Sequence, residues 1–424
     1  MIAQEPTPRQ IRVAIVFTVA LQLAVLFAQV LTSELRGYDF NAVYAAGQIV
    51  REGRGARLYD LAEQMRVENA IIGQPGMSDM VHPITHPPFE ALLLAPLARM
   101  SYARAYLAWG VINILAWTLF AYLVRPFAPV PHQTFQYLLL CFAFLPAWST
   151  LVYGQTTLLL LLLYTLTYRS LKRQQEARAG AFLALGLFKF QLVLPFALIC
   201  LIRRQWRLMA GFSAVALLLG GLSVAAFGLS GVLAYGLFLV RMVNLPANPG
   251  FVAILPRFMP TLRGVLSVLL TGHIGAKWIN GVVALLSAIL ILVTGIWSRR
   301  KDRLEGDTSL GLTFAAGLLT TLITAFHLYV YDLALLPLAF FLAIGCSQWS
   351  RKTSRQTFLN VSIAVLYFPP LYILLAEWNV RYLLFVPVCA FALALFGLLR
   401  QPVDNSLEAS VAGTGGVSAS GKDA

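Results

Sequence analysis

The segment GYDFNAVYAAG, residues 37–47, places a carboxylate, Asp39, just past a long apolar stretch. A lone acid where an apolar helix meets water is a candidate general base, able to take a proton from a substrate hydroxyl if it is partly desolvated. The competing reading is an N-cap, because Phe40, Val43, Gly47 and Val50 recur at helical spacing and Asp is a favoured cap. Tyr44, on the same segment, is a candidate substrate contact. Lys189 lies in AGAFLALGLFKFQLVLPF, where a lysine at bilayer depth costs about 2.5–3.5 kcal/mol on insertion scales. A phosphate held by this point charge would offset the cost, and so would snorkelling of the ammonium to the interface. In AFHLYVYDLALL, His327 and Tyr331 share a helical face at i, i+4, with Tyr329 and Asp332 alongside. Asp332 also fits dipole complementation in a first helical turn, and His327 an ordinary interfacial histidine. Gln155 in VYGQTTLLL and Arg263 in PTLRGVL complete the candidates; their plain readings are a helix-start residue and a surface charge.

Membrane helices must position these residues. The chain has 424 residues, 59% hydrophobic and 12% charged, with mean hydropathy +0.74, which belongs to a polytopic membrane protein and not to a soluble domain. The net charge of +14 does not point to nucleic acid, because the basic residues stand in short runs between apolar stretches, at 169–178, 203–207, 298–303 and 350–355. Such runs mark cytoplasmic loops. Cys141, Cys200, Cys346 and Cys389 sit in apolar segments without CxxC spacing or histidines arranged as ligands, so neither a disulfide framework nor zinc is indicated. The first apolar stretch, after Arg9 and Arg12, is too long for a signal-peptide core and reads as an anchor. Residues 1–400 read as a single membrane domain and 401–424 as a disordered cytoplasmic tail.

Stretches able to cross a bilayer fall near 11–32, 103–124, 135–152, 208–227, 277–297, 308–325, 329–346, 357–375 and 381–399, with a shorter one at 155–168. Residues 179–202 are long enough for one crossing, but basic runs flank them on both sides. The expectation is therefore a hairpin of 179–188 and 191–202 with Lys189 at its tip. This gives an all-α protein of about twelve crossings with both termini cytoplasmic. It brings 33–102, Gln155, Lys189, 228–276, His327 and 377–379 to the outer side together. Within 33–102, Asp60 to Glu63 reads as a capping box and Pro87-Pro88 as a helix start, so two or three short helices are expected there. The concentration of polar residues in one outer region, without a visible two-fold repeat, favours an enzyme over a transporter or flippase.

Taken in order, several motifs carry a resemblance: GYDFNAVYAAG followed by REGRGARLYD, the Pro-Pro of HPPFEALLLAPLA, the Gly-Gln of VYGQTTLLLL, the lysine of AGAFLALGLFKFQLVLPF, and the HLYVYDL turn. Through them most of residues 30–340 resembles the GT-C glycosyltransferases of family 87, which include polyprenol-phosphate-mannose-dependent α-1,2-mannosyltransferases. The resemblance implies a GT-C-like fold in the cell (inner) membrane. It implies an inverting transfer of a mannose-like hexose from a polyprenyl-phosphate donor to a lipid or glycan acceptor on the extracytoplasmic side. Asp39 would be the catalytic base and His327 its support, with Lys189, Gln155 and Arg263 placed for the departing phosphate. His86 stands where the family has a tyrosine before the Pro-Pro, and Phe190 where it has a proline after the lysine; His86, Tyr331 and Asp332 join Tyr44 as candidate substrate contacts. The partners implied are the lipid-linked donor, the acceptor and membrane lipids, with no nucleotide sugar, no cofactor and no metal.

Overall fold

A computed structural model describes residues 39–72, 80–128, 134–244, 250–251, 255–305, 309–347 and 354–399, with isolated positions from 13 to 27. The expected first span and the tail from 401 onward lie essentially outside the described residues. In chain order the helices are α1 Phe40–Arg51, α2 Leu61–Ile72, α3 Pro88–Leu94, α4 Tyr102–Val124, α5 Thr134–Phe142, α6 Leu145–Tyr153, α7 Thr157–Lys172, α8 Glu176–Leu185 and α9 Phe190–Ile202. They continue as α10 Trp206–Asn244, α11 Leu262–Leu270, α12 Ala276–Glu305, α13 Leu310–Thr324, α14 Leu336–Ser347, α15 Ser354–Leu366, α16 Pro369–Glu377 and α17 Phe385–Leu399. Two short strands, β1 Met80–Val81 and β2 Gly250–Phe251, pair in parallel.

The protein is an all-α membrane protein, and its apolar helices divide differently from the twelve expected crossings. Among the described residues five stretches are long and apolar enough to cross a membrane, or six if α15 and α16, bent by 55° at their junction, form one span. The expected span 135–152 is two helices, α5 and α6, parted before Leu145-Pro146. Proline is tolerated in a first helical turn, but it cannot donate to the preceding turn, so the chain restarts there. The expected outer loop 228–276 is partly helical: α10 continues past a break at Gly228 to Asn244, and α11 follows.

Length and hydropathy alone would let residues 176–202 cross once, yet the side-chain contacts require a reversal. α8 crosses α10 close to the start of both helices, with Gly180 against Leu208 and Gly211 against Ala177. Leu192, early in α9, accepts a hydrogen bond from Tyr164 of α7, while Val193 packs on Gly186. A straight helix would hold residues 186 and 193 about 10 Å apart along its axis. Residues 176–202 therefore form a hairpin of α8 and α9, turning through a 3₁₀ segment, Gly186–Lys189. The turn from α9 into α10 and the start of α8 share one end of the bundle. Gly295 of α12, just before the basic run 298–303, packs on Ile202 at that same end.

Among its described residues the expected outer region holds three short α-helices, α1 to α3. Pro88 starts α3, and the Asp60 carboxylate caps α2 by accepting from the backbone of Ala62 at 2.9 Å, but the reciprocal half of the expected capping box is not formed. The Glu63 side chain pairs with Arg54 and Arg66. Nearly every residue of α1 is buried, because it is wedged between α3 and α4: Phe40 meets Tyr102 and Tyr106, and Gly47 lies under the backbone of Leu94.

Candidate active site

Asp39 immediately precedes α1, but its carboxylate makes no capping bond to that helix. It points across to the α6–α7 turn, where the Gln155 amide donates to Oδ2 at 2.7 Å. Gly154 makes this meeting possible. It ends α6 with φ +67°, and an added Cβ would sit 2.6 Å from Cβ of Phe40, the neighbour of Asp39. The turn is also pinned from α4, with Trp109 donating to the Gly154 carbonyl at 2.8 Å and Tyr106 to the Val152 carbonyl at 2.8 Å. Asp39 keeps a 22% exposed side chain, the partly desolvated state a base requires.

Gln155 is a bridge. Its amide nitrogen serves Asp39 while its oxygen accepts from Lys189 Nζ at 3.0 Å. Lys189 also donates to Thr157 Oγ1 at 3.0 Å and to Asp332 Oδ1 at 2.5 Å, and Thr157 donates to the same Asp332 oxygen at 2.8 Å. The other Asp332 oxygen accepts from the backbone of Tyr329 at 3.1 Å. An ammonium has three donors, and all three are spent. Lys189 and Asp332 are 3% and 1% exposed, so they form a buried ion pair. Lys189 therefore does not snorkel to the interface, and its three protons and the Asp332 carboxylate it pairs with are engaged within the protein. The Tyr331 ring lies 5.0 Å from the Lys189 ammonium, and its hydroxyl is beside Asp39.

Arg263, in the first turn of α11, is buried with its guanidinium stacked 3.7 Å over Phe326, and it donates to the Phe326 carbonyl at 3.1 Å. Its Nε, and Nδ1 of the neighbouring His327, are buried with no hydrogen-bond partner among the described residues. Burial pushes His327 down to about 4, with Lys189, Arg263 and His86 adding to the effect against the pull of Asp332; it is neutral at physiological pH. His86 is thus within electrostatic range of His327, and its Nδ1 lies 2.5 Å from Glu90. Tyr44 is the candidate that does not join the cluster: its ring packs on Phe40 and Tyr102, and its hydroxyl is committed to the Met100 carbonyl at 2.7 Å. It holds α1 against the 97–100 turn.

Three residues that the sequence reading passed over belong here. Thr157 joins the Lys189–Asp332 pair. His82, half-buried, has Nε2 3.5 Å from Asp39 Oδ1. Glu68 of α2 is fully buried and accepts the backbone N–H of His82 at 3.1 Å. The signal for His82 is the His-Pro pair at 82–83, repeated four residues later at 86–87. Among the described residues no three His, Cys, Asp or Glu side chains converge as metal ligands would.

The arrangement offers a pinned, accessible carboxylate at Asp39 and, on Arg263 and His327, two buried nitrogens without a partner among the described residues. That suits proton removal from a hydroxyl beside a site that binds negative charge. The family model for glycosyltransferase family 87 matches residues 85–325. No curated protein and no solved structure gives a match.

Proposed function

The chain belongs to glycosyltransferase family 87, its match spanning more than half the sequence, and from this membership we propose a mannose-like hexosyl transfer from a polyprenyl-phosphate donor to a lipid or glycan hydroxyl, with Asp39 as general base. The membrane glycosyltransferase class follows from the family; donor, acceptor and base are this proposal. The acceptor hydroxyl attacks C1 of the donor sugar as its proton passes to Asp39. The new C–O bond forms as the bond from C1 to the phosphate oxygen breaks, inverting C1 and releasing polyprenyl phosphate.

The observation that carries the reading is the state of Asp39, which is free of capping duty, held by Gln155 and open to approach. Arg263 Nε and His327 Nδ1, the buried unpartnered nitrogens, are the groups proposed to meet the departing phosphate, since a fixed donor in a water-poor site gains most where charge develops. Lys189 acts in this scheme by fixing Gln155, with no contact to substrate and no metal in any step. The site is proposed to face the extracytoplasmic side of the inner membrane, at the end opposite the basic runs.

The test is purified protein in vesicles supplied with labelled polyprenyl-phosphate mannose and a membrane-lipid extract. Label in a new glycolipid or glycan with release of polyprenyl phosphate is the expected result. Transbilayer movement of the labelled lipid with no transfer would overturn the reading in favour of a flippase.

A further inference from the structure

The described residues tie a short strap to the outer helices beside Asp39. β1 pairs with β2, the backbone N–H of His82 donates to Glu68 Oε2, and the backbone N–H of Ile84 donates to the Gln64 side chain at 3.0 Å. Gln64 is itself held by donating to the Leu58 carbonyl at 2.7 Å. Both anchors, Gln64 and Glu68, are fully buried on α2, so the strap is fixed on either side of the His82 ring. This is more order than a connecting loop needs, and it serves to present one imidazole edge, Nε2, at 3.5 Å from Asp39 Oδ1.

We infer that His82 is a positioning residue for the Asp39 carboxylate, its Nε2–H steadying Oδ1 while the Gln155 amide steadies Oδ2, so that the acid is fixed from two independent elements. The inference rests on the reading of Asp39 as the base. A carboxylate attached at one oxygen swings about that contact, whereas one gripped at both keeps its remaining lone pairs aimed at the acceptor hydroxyl. Misplacement of about 1 Å at a reacting group costs on the order of 100-fold in rate. The ionisable and charged groups facing Asp39 are His82 from the strap, Glu68 from α2, and Tyr329 and Tyr331 from the turn after α13, with Lys189 behind Gln155. Burial holds His82 below the usual histidine range while Asp39 pulls it upward. The imidazole is therefore neutral at physiological pH, with an N–H to offer.

One experiment reads the pair without substrate. The chain has five histidines, so protein labelled with ¹⁵N-histidine gives few ring signals, and the one lost in His82→Gln identifies His82. In Asp39→Asn the midpoint of that signal should fall, because the carboxylate that favours the cation is gone. An unchanged midpoint would overturn the inference. The second arm measures transfer from polyprenyl-phosphate mannose. His82→Ala should lose roughly 10- to 100-fold in kcat with donor KM little changed, and His82→Gln, whose amide can still donate, should recover most of the loss. Wild-type kcat in His82→Ala would refute the positioning role. Wild-type protein inactive with the lipid-linked sugar would instead sink the transferase reading, while the titration still reports on the pair.

Discussion

At the scale of single residues, the capping and catalytic readings of Asp39 separate cleanly. The carboxylate makes no bond to α1, and Asn caps about as well as Asp. Asp39→Asn should therefore accumulate and fold normally while transfer falls by roughly 10²-fold or more, and normal turnover of the purified variant would remove Asp39 from the mechanism. Lys189 gives the opposite pattern. Removing one member of a buried ion pair leaves the other uncompensated, at a cost of about 3–5 kcal/mol. Lys189→Met should thus lower the melting temperature and the yield in membranes, and Lys189→Met with Asp332→Leu should recover much of the stability while transfer stays low. A stable single variant with weakened donor binding would restore Lys189 as a phosphate ligand. Glu68 sets a pH prediction. Burial pushes its carboxyl up to about 8 from an ordinary 4.5, with Asp39 adding to the effect against the His82 backbone N–H. The folded state then holds a proton that the unfolded state has lost, so stability is complete below about 4.5 and declines as pH rises towards 8, by up to about 1.4 kcal/mol per pH unit. Melting curves between pH 5 and 8 should show this decline in wild type and a flatter course in Glu68→Gln, which keeps the oxygen that accepts from His82.

At the scale of elements, the hairpin of α8 and α9 sets the geometry. Its tip carries Lys189 to the α6–α7 turn, and its base is locked where α8 crosses α10. At that crossing an added Cβ on Gly180 would lie 1.9 Å from the Leu208 carbonyl oxygen, and one on Gly211 equally close to that of Ala177. Both neighbours are backbone and cannot yield without shifting a helix. Gly180→Ala and Gly211→Ala should each destabilise by about 1–3 kcal/mol, against the usual gain of up to about 1 kcal/mol when glycine becomes alanine within a helix. Gly220 is the internal control, because its added Cβ meets nothing within 4 Å; Gly220→Ala should be neutral or mildly stabilising. Equal melting temperatures for all three variants would mean that the crossing is looser than the contacts require. The hairpin was legible from charge alone, since two basic runs bracket 179–202. The helical half of 228–276 was not, because α10 resumes past Gly228 in a sequence whose glycines and short apolar runs fit loop and helix alike. The Lys189–Asp332 pair was also hidden: the two lie 143 residues apart, and no local pattern encodes which distant partner a lone charge will find.

At the scale of the molecule, the polar cluster and the basic runs occupy opposite ends of the helices that join them. α7 leads from Thr157, in the cluster, to Arg169 and Lys172, and its 16 residues span about 24 Å. Arg169 donates to the Leu123 carbonyl at 2.9 Å, which brings the last turn of α4 to the basic end, while the 97–100 turn at the start of α4 holds Tyr44 beside the cluster. With the turn from α9 into α10 and the end of α12 gathered at the basic end, three runs of positive charge share one side. That is the arrangement the positive-inside rule places in the cytoplasm. Composition and charge spacing thus conveyed the class of the protein and the gathering of its basic runs at one end, whereas His82 and Glu68 became visible only through the strap, whose tie to α2 leaves no periodic trace. The sidedness has a direct test. In a background lacking the four native cysteines, single substitutions Arg57→Cys, Arg173→Cys and Arg204→Cys probe the first outer region and the two flanks of the hairpin. Arg57 is more than half exposed, so its label reports access and not unfolding. An impermeant maleimide added to intact cells should modify Arg57→Cys, and should reach Arg173→Cys and Arg204→Cys only after permeabilisation. Labelling of Arg204→Cys but not Arg173→Cys in intact cells would mean that 176–202 crosses once. Protection of Arg57→Cys would turn the whole site to the cytoplasm, where an extracytoplasmic polyprenyl-phosphate donor could not reach Asp39.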